Sequence, residues 1–179
     1  MRNVRKLALI VLVALVAAPA LKAQETRIVV LVRHAEAGGE PQGDPPLTEV
    51  GQDRAQALAR VLERAAIGTI VVSGLQRTQF TAAPVAAARG IEPIVVETSG
   101  GLGAHVAAVA AAVRAAPAGH AVLVAGHSNT IPAIIHALGG PAMDELCHGE
   151  FRRLFVMELG AAGSARLITA DYGPPDEGC

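Results

Sequence analysis

The sequence predicts an α/β protein: a three-layer α/β/α sandwich with a mostly parallel sheet and an antiparallel edge hairpin. Three observations predict it. Short, continuous, β-branched apolar runs recur along the chain, as strands buried on both faces of a parallel sheet require. Segments carrying the apolar stripe of an amphipathic helix separate these runs. The last two apolar runs instead follow one another across a glycine-rich tetrapeptide, which is the pattern of a hairpin.

The strand runs are Ile28 to Val32, Thr69 to Val72, Pro93 to Val96 and Ala121 to Ala125. Between the first two, Gln52 to Ala66 places Ala55, Leu58, Ala59, Leu62, Ala65 and Ala66 on one helical face, and Gly68 follows where a helix end favours glycine. Thr78 to Arg89 is the second predicted helix, closed by Gly90. Val106 to Ala116 is the third, stopped by Pro117, and Ile131 to Leu138 the fourth, stopped by Gly139-Gly140. Thr98 to Ala104 reads as a short glycine-rich loop. Leu154 to Leu159 and Arg166 to Ala170 form the hairpin across residues 160–163.

The first 23 residues differ in kind from the rest. Arg2, Arg5 and Lys6 precede an unbroken apolar run from Leu7 to Ala18, and Ala18-Pro19-Ala20 and Leu21-Lys22-Ala23 offer small residues before a cut. A basic start, a short apolar middle and a small-residue end make a secretory signal peptide. The run is shorter than the roughly 20 residues that span a bilayer. Residues 1–23 are therefore assigned as the signal and 24–179 as one domain, exported to the periplasm or secreted. An uncleaved membrane anchor is the alternative. After cleavage no stable membrane insertion is expected.

Composition narrows the function classes. Of 179 residues 51% are apolar and 17% charged, which excludes disorder as the main character. Aromatics are 2%, so base-stacking platforms and aromatic cages are not expected. The formal charge is −1, and removing residues 1–23 takes four basic residues and no acid, leaving 156 residues at −5. No nucleic-acid partner is expected from such a balance. Cys147 and Cys179 allow at most one intramolecular disulfide, and their spacing fits no metal site. Whether they pair, and the oligomeric state, are not read from the sequence.

Reactive residues collect just past strand ends. The first strand ends in Arg33-His34-Ala35-Glu36, the second runs into Ser73-Gly74-Leu75-Gln76-Arg77-Thr78, and the fourth ends in Gly126-His127-Ser128-Asn129-Thr130. Ligands of parallel α/β sheets bind beyond the carboxyl ends of the strands, so this fold gathers these residues into one crevice. Two guanidinium forks match phosphate or carboxylate oxygens. Two imidazoles add a nucleophile or base and a further donor. Helix N-termini near Arg77 and Thr130 can add N–H groups. The combination favours an anionic tetrahedral group.

The constellation resembles the histidine phosphatase superfamily, also called phosphoglycerate mutase-like, and in particular its small bacterial members. The resemblance runs from about Arg27 to Asp171. It rests on Arg33-His34, on Leu47-Thr48-Glu49-Val50-Gly51, on Ser73-x-Leu-x-Arg77-Thr78-x-x-Thr81-Ala82, and on Gly126-His127-Ser128, in that order. The resemblance implies a metal-independent and cofactor-independent phosphatase acting on a small phosphorylated substrate. It makes His34 the nucleophile that becomes a phosphohistidine, with Arg33, Arg77 and His127 holding the phosphoryl oxygens as guanidinium and imidazolium groups. Glu97 is the candidate general acid, with Glu36 and Asp44 as rivals. The chain departs from the family in having Ser128 where some members place an acid.

Other residues have plainer readings. His105, His120, His136 and His148 match no motif and are expected to be structural or on the surface. Ser73, Thr78 and Thr81 read as helix-start or backbone partners, with Ser73 to Gln76 as a capping box. Asn129 and Thr130 can cap their helix or reach phosphate. Asp44-Pro45-Pro46 reads as a rigid turn, and Arg152-Arg153 as an exposed pair. Two rival functions stand beside the phosphatase. One is a non-catalytic phosphate-binding relic of the same fold. The other is a serine hydrolase using Ser128, although Thr130 stands where that elbow requires glycine.

Overall fold

Two-sided burial organises the molecule. A computed structural model describes residues 26–38, 42–160, 164–176 and 178–179. Ten elements follow in these residues: β1 (Arg27–Arg33), α1 (Glu49–Val61), β2 (Ile67–Ser73), α2 (Gln76–Arg89), β3 (Ile94–Val96), α3 (Gly101–Ala115), β4 (Ala121–Gly126), α4 (Thr130–Ala137), β5 (Arg153–Leu159) and β6 (Ala165–Asp171). Successive residues of β1 face opposite layers. Val29 and Leu31 pack with Val106, Val109 and Val113 of α3 and Ile131, Ile134 and Ile135 of α4. Val30 and Val32 pack with Ala57 and Leu58 of α1 and Ala82, Val85 and Ala86 of α2. This is the strand period of two read against two helical layers.

The six strands form one sheet in the order β3-β2-β4-β1-β5-β6. β1, β2, β3 and β4 run parallel, whereas β5 lies antiparallel to β1 and β6 antiparallel to β5. The predicted class therefore holds, including the antiparallel edge. Residues 161–163 of the predicted hairpin turn lie outside the described residues, as does the predicted signal peptide. None of the described helices is long and apolar enough to cross a membrane.

Register delivers the motifs to one edge. Arg33 of β1 stands opposite Gly126 of β4, and Val72 of β2 opposite Ala125. Hence His34, Gly74 and His127 leave three neighbouring strands at the same level. The His34 amide also donates to the Gly126 carbonyl at 2.8 Å.

Two boundaries differ from the sequence expectation. α1 ends at Val61 and the chain turns through residues 62–65, so Gly68 is not a helix cap but a β2 residue at a register shift. A Cβ there would lie 2.6 Å from the His120 side chain, which is why only glycine fits. α3 begins at Gly101, which absorbs most of the supposed loop of Thr98 to Ala104. Gly101 takes φ of 81°, a left-handed conformation that starts this helix and that other residues resist. Gly90 closes α2 at φ of 63° as expected.

Candidate active site

A cleft of about 620 Å³ opens at the carboxyl edge, with Arg33, His34, Arg77 and His127 in its walls. The sheet register explains why four residues spread over 95 positions meet. The rings of His34 and His127 stand with centroids 5.4 Å apart, edge to face.

His34 is oriented by its own turn. Its Nδ1 lies 2.7 Å from the Ala35 carbonyl, a contact that only a protonated Nδ1 can make. The proton is thus placed on Nδ1 and the lone pair on Nε2. Burial, joined by the nearby His127, Arg33 and Arg77, pushes the His34 ring down to about 3, so it is neutral at ordinary pH. The turn itself is pinned from two sides. The Ala35 amide donates to Thr81 Oγ1 at 2.8 Å, and that hydroxyl donates to the Arg77 carbonyl at 2.6 Å. On the other side the Glu36 carbonyl accepts from the Thr48 amide at 2.9 Å, and Thr48 Oγ1 caps α1 through the Gly51 amide at 3.1 Å. A Cβ on Gly51 would sit 2.1 Å from the Glu36 oxygen, which accounts for the glycine of that motif.

Arg33 is 5% exposed, and its Nη1 donates to the carbonyls of Cys147, His148 and Glu150 at 2.8, 2.8 and 3.0 Å. Its guanidinium carbon stands 4.0 Å from the centre of the Phe151 ring. Holding Nη1 leaves the Nε–Nη2 edge as the working fork, and Nε has no partner among the described residues. Arg54 shows what that edge can do: its Nε and Nη2 grip the Glu36 carboxylate at 2.6–3.0 Å. Burial lowers the Arg33 guanidinium, with Asp176, Glu150 and Glu36 opposing, and it remains a cation.

Arg77 comes from the first turn of α2 and bonds the Gly43 carbonyl at 3.1 Å, with Asp44 Oδ1 at 3.9 Å. Asp44 Oδ1 also accepts from the Gln76 amide at 2.8 Å. It therefore caps α2 from a distant loop, and the expected capping box of Ser73 to Gln76 does not form. The amide at the start of α2 is consequently committed to Asp44. The start of α4 lies in the cleft wall through Ser128, Asn129 and Thr130. Thr130 Oγ1 accepts from the His127 amide at 2.8 Å, and Asn129 makes no side-chain cap.

His127 is 8% exposed and contacts Ser73 Oγ at 3.0 Å through Nε2. Ser73 Oγ also accepts from the Leu75 amide at 3.3 Å and lies 2.9 Å from Thr78 Oγ1, so its hydrogen is shared between Thr78 and Nε2 as alternative acceptors. Donation by Ser73 would place the ring hydrogen on Nδ1, an atom without a partner among the described residues. Burial, with Arg77, His105 and Arg33, pushes this ring down to about 4. His127 is thus neutral here, not the imidazolium expected from the sequence; low dielectric and two cations disfavour a further positive charge.

The structure does not bring Glu97 into the cleft wall. Its carboxylate packs beside Gly74, so closely that a Cβ there would meet Oε2 at 2.5 Å. Glu36 is engaged by Arg54, and Asp44 by α2 and Arg77. Glu145 is the carboxylate that lines the cleft among the described residues. Sequence reasoning missed it, together with His105 and His148, which also line the cleft. His105 is 3% exposed, and its Nδ1 bonds the Glu97 carbonyl at 3.1 Å. One signal could have found it: His105 extends the stripe of Val109 and Val113 back by one turn. Among the described residues there is no group of three side chains able to hold a metal ion.

The fold, and part of the sequence, have counterparts among known proteins. The family model of the histidine phosphatase superfamily, branch 1, matches residues 29–102, which include Arg33, His34 and Arg77. Over that segment, which is less than half of the chain, the sequence is similar to this superfamily. A structure solved as a candidate phosphohistidine phosphatase SixA from Nakamurella multipartitia superposes with a TM-score of 0.59, at 27% identity over 82% of this chain and 96% of that one. The protein histidine phosphatase SixA complexed with tungstate shares the fold, with a TM-score of 0.63, 20% identity, and coverage of 80% and 96%. The chain is 40% identical to phosphoserine phosphatase 1 of Hydrogenobacter thermophilus over 72 residues, which is 37% of this chain and 34% of that protein. The match thus spans about a third of that relative's length.

Proposed function

We propose that the protein hydrolyses a small phosphomonoester through a phosphohistidine on His34. The observation that carries this reading is the His34 ring. It is neutral, with its proton tied to the Ala35 carbonyl, and it shares a cleft with two guanidinium groups. Nε2 attacks phosphorus; a P–N bond forms as the bond to the leaving oxygen breaks. Arg33 through its Nε–Nη2 edge, Arg77, and His127 through Nδ1 hold the phosphoryl oxygens and offset the charge that gathers on them. A carboxylic acid at the cleft mouth protonates the leaving oxygen. The same group, now a carboxylate, takes a proton from the water that attacks the phosphohistidine, and the P–N electron pair returns to Nε2 as phosphate leaves.

Glu145 is better placed than Glu97 for this proton, because it lines the cleft. Aryl phosphates of graded leaving-group acidity decide the point. Glu145→Gln should slow the poorest leaving groups most, while Glu97→Gln slows all of them alike. The reverse pattern would move the role back to Glu97. A wild-type protein that binds phosphate and turns over no phosphoester would establish the relic reading instead.

Export is part of the same proposal. It is supported by the basic-apolar-small pattern of residues 1–23 and by the Cys147–Cys179 disulfide, which suits an oxidising compartment. The substrate is a small phosphorylated molecule in that compartment.

A further inference from the structure

The chain after β6 returns to the active site. Tyr172, 4% exposed, donates its amide to the Arg152 carbonyl at 2.9 Å, and Arg54 Nη1 donates to the Tyr172 carbonyl at 3.0 Å. Asp176 Oδ1 then accepts from the amides of Phe151 and Arg152, each at 3.0 Å, and lies 3.4 Å from Arg54 Nη2. Gly149 packs against Gly178 so closely that a Cβ would stand 2.1 Å from the Gly178 oxygen. Finally, Cys179 is bonded to Cys147.

Apart from the two contacts with Arg54 of α1, these anchors meet the segment between α4 and β5, up to the start of β5. That segment has no regular secondary structure between residues 140 and 152 apart from one turn. Yet three of its carbonyls, those of Cys147, His148 and Glu150, hold Arg33 Nη1. An irregular segment loses conformational entropy when its carbonyls are fixed, so something must hold it. Its own bonds are few: the Leu146 amide to the Ser128 carbonyl at 3.1 Å, and Glu150 to Cys147 at 3.0 Å. Leu146 adds a buried contact in the core beside α3 and α4, Glu150 pairs with Arg153, and the tail supplies further anchors.

We infer that the C-terminal tail positions Arg33 for phosphate binding, with Asp176 and the Cys147–Cys179 bridge as its two anchors. The inference rests on the phosphatase reading through the role given to Arg33. The tail touches no substrate in this account. It fixes three carbonyls, the carbonyls fix Nη1, and the planar guanidinium is thereby held in the cleft wall with its Nε unpartnered among the described residues. Asp176 acts electrostatically as well: burial lowers the Arg33 guanidinium, and Asp176 is the largest of the charges that oppose this.

The test uses inorganic phosphate as the probe. Its dissociation constant and kcat/KM are measured for wild type, Cys179→Ser and Asp176→Asn, each also in an Arg33→Ala background, with thermal melts alongside. A further arm reduces the native bridge with dithiothreitol, which yields two thiols and the reagent's cyclic disulfide. In the wild-type background each change should weaken phosphate about tenfold, the equivalent of about 1.4 kcal/mol. In the Arg33→Ala background the same changes should cost less than about twofold, because the group they position is gone. Equal losses in both backgrounds would show a merely structural tail and overturn the inference, as would full phosphate affinity in the reduced protein. If Cys179→Ser fails to fold, Asp176→Asn, which leaves the bridge intact, still reads the coupling. Failure of wild type to bind phosphate would remove the phosphatase reading itself; binding that the tail variants retain removes only this inference.

Discussion

Glu36 stands two residues beyond His34, yet its carboxylate serves the fold. Arg54 Nε approaches its two oxygens at 3.0 and 2.8 Å, and Nη2 approaches one at 2.6 Å. The Arg54 side chain is 0% exposed and that of Glu36 18%. Breaking such a buried pair by removing one partner costs about 3–5 kcal/mol. Glu36→Gln keeps one acceptor oxygen, and Arg54 keeps the Tyr172 carbonyl and Asp176, so we expect a cost at or just below the bottom of that range, about 2–3 kcal/mol. For a chain of this size each kcal/mol moves the melting temperature by roughly 2–4 °C, giving a drop of about 5–10 °C. Circular dichroism melts read the first effect. Steady-state kinetics with aryl phosphates at 20 °C read the second: kcat/KM should fall less than about threefold and by the same factor for every leaving group, since stability and chemistry are separate here. A melting temperature within about 1 °C of wild type would refute the structural role. A loss of kcat that grows as the leaving group worsens would make Glu36 the general acid and refute the reasoning outright.

Two further outcomes follow from the same geometry. His34 and His127 titrate at about 3 and about 4 in the fold, below the ordinary histidine value of 6.5, so the unfolded chain takes up these protons first. Their neutral burial therefore costs nothing above pH 6.5, and stability declines as pH falls from there toward 3; His34→Asn should flatten that decline in melts between pH 7 and 4, and an unchanged slope would contradict the assignment. Gly51→Ala places a Cβ 2.1 Å from the Glu36 oxygen and must displace the turn that carries His34. It should cost about 1–3 kcal/mol in stability and lower kcat/KM by more than Glu36→Gln does, a ranking that kinetics on both variants checks.

The parts of the molecule legible in the sequence are those set by local pattern. Val29 to Val32 announce a doubly buried strand because alternate residues must satisfy two helical layers, and the rule that ligands gather past strand ends then brings Arg33, His34, Arg77 and His127 together. What escaped depends on contacts that no short window contains. α3 starts at a left-handed Gly101, and three glycines nearby read as a loop until the packing of His105 and Val109 is known. Glu97 follows the last residue of β3, and its carboxylate packs beside Gly74, just past another strand end, a neighbour that no short window contains. The Ser73–His127 contact joins residues 54 positions apart. The two cysteines offered a pairing without deciding it, and with their bond left open the placement of His148 and Glu145 stayed open as well.

The central claim is that phosphate passes through His34. Rapid quenching of the purified protein with a ³²P-labelled phosphomonoester, followed by peptide mass spectrometry, tests it directly. The account predicts up to one acid-labile phosphate per chain, located on His34, formed no more slowly than turnover and absent from His34→Ala, which should be inactive. Turnover that persists in His34→Ala, or a label found on Ser128 instead, would contradict it.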